Sequence, residues 1–108
     1  MTKRMQFRQG DVLIERIASK NPTGTESPVE AVSGRLVLAY GEATGHSHSL
    51  DAGSGTLTLD EGGVMFLTVE ELTAVEHQEH NPVTLEPGTY RVTRQREYTP
   101  ERIVNVSD

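Results

Sequence analysis

All four histidines of the chain fall in two tight pairs, His46-Ser47-His48 and His77-Gln78-Glu79-His80. Neutral imidazole nitrogens bind Zn, Fe, Ni, Mn or Cu, and a carboxylate can complete such a donor set. Side chains alternate faces along an extended segment, so His46 and His48 would point the same way and offer two nitrogens to one ion. His77 and His80, three apart, would share a face on a helical turn or meet in a tight loop. Residues 36–90 carry nine acids (Glu42, Asp51, Asp60, Glu61, Glu70, Glu71, Glu76, Glu79 and Glu86) and neither lysine nor arginine. The leading expectation is a divalent metal ion (Zn, Fe, Ni or Mn) held by His46, His48, His77 and His80, with Glu79 as carboxylate ligand or as orienter of a ligand. Glu76, Glu42 and Asp51 are the other carboxylates close in sequence. A catalytic ion would need an open position from which to activate water or dioxygen or to polarise a carbonyl. A shell filled by four histidines would favour a structural role. The plain alternative is that Gly45–Ser49 is a solvent-facing turn and that His80, before Asn81-Pro82, merely ends a strand.

The elements that would position these residues are short strands. Asp11–Ile17, after Gly10, is rich in branched residues. Arg35–Tyr40 is stopped by Gly41, and Thr56–Leu59 alternates with period two. Val64–Val69 is the most apolar run and is expected at the centre of a sheet. Leu72–His77, a short Val83–Leu85 and the long alternating Thr89–Tyr98 follow. Residues 18–33, with two prolines and many small polar side chains, read as a long flexible loop. Thr99-Pro100 could open a helix or lead into a terminal strand. No amphipathic helix of ten residues or more is evident. The expectation is one all-β domain over residues 1–108, a small β-barrel or β-sandwich.

Composition narrows the classes. A chain of 108 residues fits a single core. The absence of cysteine removes disulfides, thiolate metal sites and thiol nucleophiles. A net charge of −6 argues against nucleic acid and against an anionic membrane surface as partners. No apolar run approaches a membrane span and no apolar signal core follows the charged N-terminus, so a cytoplasmic protein is expected. A homo-oligomer or a protein partner stays open.

Two resemblances accompany these readings. Gly41, His46 and His48 resemble the start of the cupin signature, a glycine followed after a short gap by His-x-His on a barrel strand, here with one residue fewer in the gap. Cupins place a glutamate shortly after, where this chain has Asp51. His77 and Asn81 have the spacing of the second cupin motif, without its preceding Pro-x-Gly. The resemblance implies a cupin-like barrel with His46, His48 and His77 as ligands and a carboxylate fourth. Residues 41–48, 77–82 and 87–101 also resemble small uncharacterised proteins of bacteria and their phages, which implies no particular activity.

Other patterns carry less. Gly45–Ser49 ends in serine where a Gly-x-Ser-x-Gly elbow needs glycine, and His-Gln-Glu-His is one residue short of the zinc-peptidase motifs. Gly53-Ser54-Gly55 and Gly62-Gly63 lack a phosphate loop's lysine and read as turns. Arg91, Arg94 and Arg96, with Tyr90 and Tyr98, could form an anion or single-strand nucleic-acid surface. Pairing with the acidic middle of the chain, or with a neighbouring subunit, is the simpler expectation. The competing functional reading is a metal-free, non-catalytic interaction module, phage-related, that docks a partner through the 18–33 loop or the arginine strand.

Overall fold

The structure is a computed structural model that describes residues 6–18, 26–41 and 45–94. Its strands in chain order are β1 (Gln6–Gln9), β2 (Val12–Ile17), β3 (Ser27–Pro28), β4 (Arg35–Tyr40), β5 (Ser47–Asp51), β6 (Gly55–Leu59), β7 (Met65–Val69), β8 (Thr73–Val75), β9 (Val83–Leu85) and β10 (Gly88–Arg94), with one 3-10 turn at Ala52–Ser54. The described residues contain no α-helix, so none that could cross a membrane. The fold is all-β, as expected.

Six strands form an open antiparallel sheet in the order β1-β2-β10-β7-β6-β3. The apolar run expected at a sheet centre is β7, flanked by β10 and β6. β4 pairs with β5 and β8 with β9, and a bridge between Ser49 and Glu76 links these two hairpins into a second layer. The sheets do not close into a barrel; a sandwich is the architecture that results. Val12, Ile14, Leu57, Leu67, Val69, Tyr90 and Val92 of the larger sheet face Leu36, Leu38, Leu50, Val75 and Leu85 of the smaller one to make the core. Period-two alternation places them: Tyr90 and Val92 are buried while Arg91 and Thr93 between and beside them are exposed.

Three strands were not signalled by hydropathy. β1 carries one apolar residue, Phe7, and β5 carries one, Leu50. Within the expected 18–33 loop, Ser27 and Pro28 pair with Leu59 and Thr58 as β3. Residues 19–25, Glu42, Arg96, Tyr98 and the tail from Thr99 lie outside the described residues.

Gly55 on β6 lies tight against β7. A Cβ there would run into the carbonyl of Thr68 on β7 and lie 3.1 Å from Val69 Cα, both backbone atoms that cannot turn aside. Gly55→Ala is therefore expected to cost about 1–3 kcal/mol, as overpacking does. The melting temperature should fall by roughly 5–20 °C for a domain of this size, read by differential scanning calorimetry.

Candidate functional site

β5 carries His48 to the end of the core. His48 and Leu50 are two residues apart on the inner face and are 2% and 0% exposed. His46 lies just before the strand, where the Gly41 amide donates to its carbonyl at 2.9 Å and extends the β4–β5 pairing. The second pair follows the Ser49–Glu76 bridge and forms a compact turn. The His77 imidazole closes it, its Nδ1 accepting from the Glu79 amide at 2.9 Å and the His80 amide at 3.2 Å. The Ser47 amide donates to Gln78 Oε1 at 2.8 Å, which ties this turn to β5.

The two pairs meet as one cluster centred on His77. Its ring centroid lies 4.4 Å from His48, 4.6 Å from His80 and 5.5 Å from His46. The His48 and His80 rings are nearly parallel at 6.2 Å.

The hairpin joining β1 to β2 forms the floor of the cluster. Gln9, Gly10 and Asp11 each reach it. The Gln9 side chain is buried, and its Nε2 donates to the carbonyls of Val75 and Asn81, both at 2.9 Å. Two carbonyl partners fix which end of the amide is the nitrogen. The Gln9 oxygen therefore faces His48 Nδ1 at 2.8 Å, and Nδ1 must be the donor. In a neutral ring the remaining nitrogen, Nε2, then carries a lone pair. Gly10 has φ +60°, the left-handed conformation taken by the first residue of a two-residue hairpin loop. A Cβ at Gly10 would stand 2.8 Å from His80 Nε2 and 3.3 Å from His48 Cε1. Asp11 Oδ1 lies 3.9 Å from His48 Nε2.

The charges follow from these contacts. Burial, then repulsion from His77, His80 and Arg94 against attraction from Asp11, takes His48 from 6.5 down to about 4, so it is neutral at physiological pH. Burial also lowers His77, with repulsion from His80 and His46 adding to it and Glu79 and Asp11 opposing. Burial raises the Asp11 carboxyl, but the Arg94 hydrogen bond at 2.9 Å and its charge outweigh that and hold it below its ordinary value.

His77 is committed to the opposite tautomer. Its Nδ1 accepts two amide protons, so in the neutral ring the proton sits on Nε2 and blocks that nitrogen as a ligand. Consistent with this, no group of three or more His, Asp or Glu side chains among the described residues stands arranged to hold a metal ion. The carboxylates picked from sequence lie elsewhere. Asp51 accepts from Gly53 N, and Glu76 pairs with Arg35 at 2.7 Å. Glu79 is exposed and touches His77 through its backbone amide.

The stretch without bases in sequence is not without them in space. Arg35 reaches Glu76, and Arg94 stands behind Asp11. Arg91 and Arg94 pair with Glu15 and Asp11, not with the acidic middle of the chain, because β10 lies antiparallel beside β2 and sets Arg91 opposite Glu15. Sequence reasoning missed Gln9, Gly10 and Asp11, whose only local signal was the turn-forming Gly10. The sequence singles out Arg94, but as part of an anion or nucleic-acid surface and not as the partner of Asp11.

Residues 8–95 match the family described as a Domain of unknown function (DUF8820). No curated protein and no solved structure matches the chain.

The neutral His48 makes stability depend on pH. Its folded pKa of about 4 lies below the 6.5 of an ordinary imidazole. The unfolded chain therefore binds more protons in that window, and stability falls as pH drops from 6.5 through 4. The loss is at most about 3 kcal/mol, taking 1.36 kcal/mol per unit, and lowered His77 acts with the same sign. Urea unfolding of chelator-treated protein from neutral pH down to about pH 4.5 should show this loss. His48→Gln, which cannot titrate, should show a shallower one.

Proposed function

This chain belongs to the DUF8820 family, and we propose that its histidine cluster binds a divalent metal ion. The observation that supports the reading most is His48. It is a buried imidazole, neutral at physiological pH, whose Nδ1–H is held by a carboxamide so that the Nε2 lone pair remains. Metal-ligating histidines almost always donate their other ring N–H in this way. The rings of His77 and His80 stand 4.4 and 6.2 Å from that of His48, and His46 meets the cluster through His77 at 5.5 Å.

Loading such a site involves the His77 turn. His77 can ligate through Nε2 only if the Glu79 and His80 amides release Nδ1, which then takes the proton. Until then His46, His48 and His80 are the imidazoles with which an ion can engage. Nitrogen-rich donors without thiolate suit Zn, Fe, Ni or Mn. Whether the ion would be catalytic or structural depends on whether a position stays open for substrate or water.

Protein purified without a tag, stripped with chelator and titrated with Zn(II) by calorimetry, should take up the ion with saturable stoichiometry. His80→Ala should bind about tenfold or more weakly, and the His46→Ala/His48→Ala double variant should not bind. The amide resonances of Glu79 and His80 should move on loading. No uptake by folded wild-type protein would refute the reading and leave a partner-docking module as the better account.

A further inference from the structure

We draw no further inference here: the strongest candidate, the outer face of the six-stranded sheet, where Thr56, Thr68 and Thr89 stand in one cross-strand row beside the half-buried Leu13, Ile17 and Phe66 and the Glu15–Arg91 ion pair, carries no proposal because nothing in the structure shows what covers it.

Discussion

The Gln9 carboxamide is the contact on which the geometry of this protein's polar end depends. It sits at the end of β1, buried, and bonds at once to the Val75 carbonyl at the end of β8, to the Asn81 carbonyl just before β9, and to His48 on β5. One side chain therefore joins the larger sheet to both hairpins of the smaller one. Each of these groups lies where the apolar core gives out, and a buried carbonyl or imidazole N–H without a partner would carry its full desolvation cost. No buried side-chain nitrogen or oxygen among the described residues lacks a partner. The network is thus complete, and a complete network specifies one arrangement. It fixes the orientation of the amide, which fixes the tautomer of His48, which decides which nitrogen looks into the cluster.

Two opposite tautomers then divide the roles of neighbouring rings. His48 donates its Nδ1–H to an acceptor, whereas His77 accepts hydrogen bonds at the same atom from the amides of its own turn. The difference comes from backbone context. His48 lies on a strand whose amides are engaged in pairing and bridging, so its ring looks across the sandwich for a partner. His77 begins a turn whose amides have no strand to bond, and the ring caps them as a serine or aspartate side chain would. The same residue type is set as an acceptor site by tertiary contact in one place and as a local cap in the other.

What could be read from sequence divides along the same line. Apolar alternation located β2, β4, β6, β7, β8, β9 and the start of β10, because burial of one face leaves a period-two trace. It could not locate β1 or β5, whose residues are mostly polar. β5 is a strand because Leu36 and Leu50 pair across the β4 ladder, and its His48 looks into the cluster instead of continuing the apolar core. The histidines were legible as a candidate site by type and spacing alone. Gln9 and Asp11 were not, because nothing about a glutamine or an aspartate in a hairpin marks it as facing residues some forty positions away. That proximity is a product of β1 lying over the β8–β9 turn. The nine acids of the middle stretch misled in the other direction, since linear charge counting does not see Arg35 or Arg94 returning from outside it.

The state of the His77 turn also bears on what kind of centre the cluster can form. Under the proposed reading, an ion entering with the turn closed would have to draw His46, His48 and His80 together, since no such group stands arranged for it among the described residues, and a shell closed by a fourth protein ligand would be structural. Ions that favour higher coordination, such as Mn, Fe or Ni, would retain positions for water or a small ligand in the same set. Opening the turn adds His77 but orphans two backbone amides at a partly exposed site, a modest loss because water can replace the ring there. Were an ion bound here, its coordination number would be set by the balance between two backbone hydrogen bonds and one metal–nitrogen bond, not by the number of histidines in the sequence.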